Sequence, residues 1–133
     1  MRNNRLREFY AVPVTDAVGA IRSSARSFEE SLPPAQRKRL GQFFTGLPLG
    51  TLLAHIALDP DARAIIDPMA GHGDLLDAAA ITALARGVSL DRLDGMEIDP
   101  ETAAFCGRRT AALQTGGAVA DARIVTGSAF DPS

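Results

Sequence analysis

Apolar positions along this chain keep a helical rhythm to about residue 57 and then change to short runs that alternate with helical stretches. From Thr15 onward, Val18, Ile21, Ala25, Phe28 and Leu32 recur at spacings of three and four, which is one face of a helix. Pro33 and Pro34 stop it, and Pro34 suits the first turn of a short basic helix over residues 35–40 that Gly41 closes. Pro48 opens a third helix, with Leu49, Leu52, Leu53 and Ile56 as its apolar stripe.

After Asp59-Pro60-Asp61, residues 64–67 read as a buried strand, 75–86 as a helix and 93–98 as a second strand. Pro100 starts a helix running to about residue 114, Thr115-Gly116-Gly117 breaks it, and 122–126 read as a third strand. Strand, helix, strand, helix, strand predicts a right-handed βαβαβ unit with parallel strands in the spatial order 3-2-1. The expectation is an α/β fold of Rossmann-like type, preceded by an N-terminal helical segment. Residues 1–46 form the helical arm and 47–133 the α/β part. No internal repeat or low-complexity tract interrupts either.

Composition adds limits. The chain has 133 residues, 46% of them hydrophobic, which suffices for one core. No run approaches the roughly 18 apolar residues of a membrane span, and no signal-peptide core follows the start. A single cysteine, Cys106, cannot make an internal disulfide, which fits a reducing cytoplasm. Without a histidine beside it in sequence, Cys106 reads as a small buried hydrophobe, and His55, beside the stripe of its helix, as a surface or packing residue. The net charge of −2 conceals an asymmetry. Residues 1–46 carry eight basic against four acidic residues, and 47–133 carry six against twelve. An excess of four positive charges is small for a dedicated nucleic-acid surface, so most of these arginines read as a solvated helical face.

Candidate chemistry centres on Asp67-Pro68-Met69-Ala70-Gly71-His72-Gly73-Asp74, between the first strand and its helix. Gly71 and Gly73 can take positive φ and let backbone approach a ligand closely. Twenty-six residues beyond Gly71 stands Glu97, at the tip of the second strand, where a carboxylate can accept from both ribose hydroxyls. The plain alternative is a surface glutamate at a strand end. Ile98 would then lie against an adenine face. Asp-Pro recurs at 67–68, 99–100 and 131–132, each just past a predicted strand. Proline there ends pairing and opens a helix, while the acids gather at the carboxyl ends of parallel strands, where such sheets bind ligands. The turn lacks the third glycine of dinucleotide sites, and Asp67 and Asp74 would repel phosphates. A ligand with ammonium and sulfonium groups, S-adenosylmethionine, suits that environment better than a nicotinamide dinucleotide. Upstream, Arg39-Leu40-Gly41-Gln42-Phe43-Phe44-Thr45 offers two aromatics to cover a ligand and a hydroxyl for a carboxylate. Without that context, Phe43 and Phe44 would read as core residues.

Taken in order, Arg-Leu-Gly-Gln-Phe-Phe-Thr, Asp-Pro-x-x-Gly-x-Gly and Gly-x-Glu-x-Asp resemble the opening of the adenine-N6 DNA methyltransferases of restriction–modification and phage-defence type. The resemblance covers residues 37–131. It implies an S-adenosylmethionine-dependent enzyme acting on DNA, with Phe43, Phe44 and Thr45 closing over the methionine end of the cofactor. It implies Asp67, Ala70, Gly71 and Gly73 as further cofactor contacts, Glu97 as the second-strand acid and Ile98 against the adenine. Ser128 stands where the family usually places an acid that accepts from the adenine amino group. The proline that usually follows the threonine is displaced to Pro48. The family's catalytic Asn/Asp-Pro-Pro-Tyr/Phe, which orients the target amine and stacks the flipped adenine, occurs nowhere in these residues. No catalytic residue and no metal ligand is therefore expected here.

The expectation is an incomplete methyltransferase sheet, inactive alone, whose first strand has a bare edge and which pairs with a second chain or with itself. The alternative is a non-catalytic subunit that completes a partner's fold or binds DNA with it. A nucleotide-binding oxidoreductase is disfavoured by the acidic turn.

Overall fold

Three parallel strands form one sheet in the order β1-β2-β3, with helices in the crossovers, so the α/β architecture and the strand order 3-2-1 are as the sequence predicts. The computed structural model describes residues 45–131: helix α1 (Leu47–Ala57), strand β1 (Ala64–Asp67), helix α2 (Asp74–Ala85), strand β2 (Leu90–Glu97), helix α3 (Pro100–Thr115) and strand β3 (Val119–Thr126). The helices expected over 15–32 and 35–40 lie outside the described residues, as do Phe43 and Phe44.

The registers Ile65↔Leu93, Asp67↔Gly95, Leu93↔Ala122 and Glu97↔Thr126 bring the carboxyl ends of β2 and β3 level, with β1 ending two residues earlier. Both crossover helices pack on the face that carries Leu93, Gly95 and Glu97, and α1 packs on α2 outside them. The core between sheet and helices is built from Leu76, Ala80, Leu90, Leu93, Cys106 and Val119. Burying each of the larger aliphatic side chains stabilises the fold by about 1.5–3 kcal/mol relative to exposure. Gly95 is required at the sheet's centre, because a Cβ there would lie 2.7 Å from Ile124 Cδ1 and 3.0 Å from both Ala70 Cβ and Leu76 Cδ1.

Strands β2 and β3 each begin three residues earlier than the apolar runs suggest. Leu90 and Val119 are buried and paired, while the charged Asp91, Arg92 and Asp121 that broke the apolar pattern are exposed. Strand β2 ends at Glu97, one residue short of the expectation, and Ile98 lies outside it.

One expectation needs correction. Strand β1 is not buried: Ala64 and Ile66 are exposed, Ile66 by 72%. Its outer edge has no strand partner, and the face opposite the helices is uncovered, among the described residues. The Leu49, Leu52, Leu53 and Ile56 stripe of α1 also faces outward, with Ile56 75% exposed. The contact with α2 is made instead through Leu47 and Gly50, since only a residue without a side chain lets the two helices come this close. A Cβ on Gly50 would stand 3.1 Å from Ala78 Cβ and 3.3 Å from Asp74 O.

Candidate cofactor site

The glycine turn is shaped by its own backbone. Gly71 has φ 54° and Gly73 φ 96°, a left-handed conformation that L side chains resist. Gly73 has a second reason to be glycine, since a Cβ would come within 2.9 Å of Cys106 Sγ on α3. Its lack of a side chain therefore serves helix packing inside the fold. The Gly73 N–H donates to Ala70 O at 2.9 Å and the Ala70 N–H to Met96 O at 2.8 Å, which ties the turn to the end of β2. Asp67, half-buried at the end of β1, accepts the Met69 N–H through Oδ1 at 3.0 Å.

Glu97 is 6% exposed, which removes the reading of an ordinary surface glutamate. Its Oε2 accepts the Gly71 N–H at 3.0 Å and its Oε1 the Asp99 N–H at 3.0 Å. One carboxylate thus joins the glycine turn to the β2–α3 turn. An ionised carboxylate has about four acceptor positions, so two backbone donors leave capacity for a ligand's hydroxyl groups. The Gly127 N–H donates to Glu97 O at 2.9 Å and brings the end of β3 to the same place. Ser128 follows, half-buried, with its Oγ accepting the Phe130 N–H at 3.2 Å. Ile98 is 54% exposed beside Glu97, an apolar surface next to a buried acid. Thr45 is half-buried ahead of α1.

Among the recurring aspartates, Asp99 has a structural task. Its Oδ2 accepts the Thr102 N–H at 2.9 Å and the Thr102 hydroxyl at 2.7 Å, capping α3, with Pro100 opening the first turn.

The place of Asp74 differs from the sequence reading. Its carboxylate is 6% exposed and turned inward: Oδ2 accepts the Gly46 N–H at 2.7 Å, and Oδ1 accepts from Arg109 Nη1 at 3.0 Å. Of the two acids weighed as repelling phosphate, only Asp67 remains at the mouth of the turn. Asp74 is paired with a buried guanidinium, that of Arg109.

Arg109 is the functional-site neighbour that sequence reasoning missed. From the inner face of α3 its Nε donates to Asp77 Oδ2 at 2.8 Å, and its Nη2 lies against the same oxygen. Its Nη1 also donates to His72 O at 2.9 Å and faces His72 Nδ1 at 3.0 Å. His72 Nδ1 lies 3.3 Å from Asp74 Oδ1, and the Phe105 ring meets the imidazole edge-on, 6.0 Å between centroids. Two carboxylates and one guanidinium are thus packed beneath the glycine turn. Burial works to raise the Asp74 carboxyl, but the adjoining His72 ring and Arg109 guanidinium outweigh it, and its pKa lies below the ordinary value. Asp77 goes the other way. Burial, helped by the charge of Asp74 and only partly offset by Arg109, pushes its pKa up to about 6. Burial, reinforced by Asp77, pushes the Cys106 thiol up to about 12, so Cys106 is a packed hydrophobe without nucleophilic character. The available signal for Arg109 was its position: Ala103, Cys106 and Thr110 mark the buried side of α3, and Arg109 falls on it.

A groove of about 260 Å³ runs between α3 and β3, past Pro100, Gly107 and Thr126, and does not include the glycine turn. Among the described residues, no helix is long and apolar enough to cross a membrane, and no group of His, Cys, Asp or Glu is arranged to hold a metal. No curated protein and no solved structure matches the chain. The N-6 DNA methylase family does match, over residues 28–130. A glycine turn held by a buried second-strand glutamate on a three-stranded parallel sheet, together with a family match over most of its length, makes this chain a member of the N-6 DNA methylase family.

Proposed function

We propose that these residues are the S-adenosylmethionine-binding portion of a site-specific DNA adenine-N6 methyltransferase of restriction–modification type, inactive by themselves. The family acts on DNA and typically takes its methyl group from S-adenosylmethionine. The observation that carries the reading is the bond from Gly71 to Glu97, which puts a buried carboxylate with spare acceptor capacity beside the glycine turn. In this reading Glu97 accepts from the ribose hydroxyls and Ile98 lies against the adenine. Asp67, Ala70, Gly71 and Gly73 line the methionine side, Phe43, Phe44 and Thr45 close over it, and Ser128 approaches the adenine edge. The cofactor supplies the methyl group; the chain's residues hold and orient it. Cytoplasmic localisation goes with this reading.

Titration of S-adenosylmethionine by calorimetry tests the proposal directly. Wild-type chain is expected to bind, and Glu97→Ala to lose that binding. Heat-free titration of wild type, or equal binding by the variant, would remove it.

A second reading, a non-catalytic subunit that completes a partner's sheet, has its own support. Helix α1 packs on α2 and shows solvent the apolar stripe Leu49, Leu52, Leu53 and Ile56. The outer edge of β1 has no strand partner among the described residues, and Ile66 in that strand is exposed. An open parallel edge together with an exposed apolar stripe is suited to further strands, from a second protein or a second copy. Light scattering after size exclusion is expected to show association; a monomer at high concentration would contradict it. Methyl transfer to DNA by these residues alone would contradict the absence of catalysis, because no Asn/Asp-Pro-Pro-Tyr/Phe is present to hold a flipped base.

A further inference from the structure

We propose that Asp74, held in place by Arg109, is a positioning residue that latches Gly46 to the glycine turn and so determines where Thr45 lies. The proposal rests on the cofactor reading given above and adds to it the device that places one side of the pocket.

The latch joins parts of the chain that share no secondary structure. Gly46 precedes α1 with φ 75° and ψ 147°, and no side chain caps that helix. Its N–H is spent outside the helix, on Asp74 Oδ2, 28 residues away and 2.7 Å distant. The Gly46 carbonyl accepts the Gly50 N–H at 3.0 Å and begins α1, so the residue is held on both sides. Gly50 lies against Asp74 O and Ala78, which places the amino ends of α1 and α2 together, next to Gly71 and Gly73.

Asp74 is itself fixed. It is 6% exposed, and its other oxygen accepts from Arg109, which is 8% exposed and anchored by Asp77 and His72 O. A carboxylate with one oxygen on a guanidinium and the other on a backbone N–H cannot rotate without stranding a buried donor. The arrangement therefore transmits the position of α3, through Arg109 and Asp74, to the residue following Thr45. Asp74 touches no ligand in this scheme; it acts through Gly46.

The test uses the full chain, with S-adenosylmethionine and adenosine as calorimetric probes and amide hydrogen exchange at Gly46. Asp74→Asn places an NH2 group against either Gly46 N–H or Arg109, so one contact is lost. Loss of a hydrogen bond to a charged group predicts S-adenosylmethionine binding weakened about tenfold or more. Adenosine binding stays unchanged, since the latch acts on the methionine side, and the Gly46 amide exchanges faster. Arg109→Lys, which keeps the charge and loses the fork, shows the same pattern more weakly and serves if the first variant fails to fold. Equal loss for both probes, or a Gly46 amide as protected in Asp74→Asn as in wild type, overturns the latch. Wild type binding neither probe overturns the cofactor reading instead, and exchange at Gly46 then decides the latch alone.

Discussion

Gly71 and Glu97, 26 residues apart, are joined by a 3.0 Å hydrogen bond from the glycine N–H to Oε2, while the other oxygen of the same carboxylate holds the Asp99 N–H. One side chain thereby sets two turns at the carboxyl ends of neighbouring strands.

Glu97→Gln is therefore expected to cost more than a lost ligand contact. The amide presents only one acceptor oxygen, so either the half-buried Gly71 or the half-buried Asp99 loses its partner. A stranded buried donor costs about 1–3 kcal/mol. Urea denaturation without ligand should show that loss, and calorimetry a loss of S-adenosylmethionine binding. Unchanged stability would mean that the carboxylate does not organise the turns.

Gly73→Ala should destabilise for two separable reasons. A non-glycine residue in the left-handed region costs about 1–2 kcal/mol. The added methyl also meets Cys106 Sγ at 2.9 Å. Combining it with Cys106→Ala should recover the steric part only, so the double variant should be more stable than the sum of the two single changes implies. Strict additivity in thermal melts would show that the contact is absent.

Asp99→Ala removes the cap of α3, including bonds to both the N–H and the hydroxyl of Thr102. Loss of such a cap costs about 0.5–2 kcal/mol. Denaturant midpoints should fall accordingly, and Asp99→Asn or Asp99→Ser should restore most of the loss.

Asp77 sets a pH dependence whose sign follows from its raised pKa of about 6 against an ordinary value of 3.8. Between those values the folded protein keeps a proton that the unfolded chain has released. The contribution of Asp77 is therefore fully present below pH 3.8 and is lost as pH rises through 6. Asp77→Asn, which keeps an acceptor for Arg109 and cannot ionise, should gain on wild type across that window and hold a constant advantage above it. Parallel denaturation at pH 4.5 and pH 7.5, values that fall inside and above this window, is expected to give the larger difference at the higher pH. A difference independent of pH would place the proton elsewhere in the cluster.

The α/β rhythm was legible because strand and helix periods differ, and because Asp-Pro and glycine punctuate each change. The parallel order followed from the handedness of βαβ crossovers. The glycine turn and Glu97 were legible from type and spacing, since only glycine tolerates the φ of residues 71 and 73, and a short stretch of strand and helix returns the chain to the same end of the sheet. What periodicity registers is average polarity along a stretch, so it read Leu90 and Val119 as outside their strands when the charged Asp91, Arg92 and Asp121 diluted the run.

Amino-acid order alone determined the fold class and the strand order. Only the tertiary structure decided which way each polar group faces. Asp74 looked outward on paper but points into the fold, because α3 brings Arg109 to it from 35 residues away and α1 brings Gly46 from 28. The apolar stripe of α1 is exposed, because Gly50 makes the contact with α2. Long-range pairing of this kind depends on distances between elements, and no local pattern of residues encodes those distances.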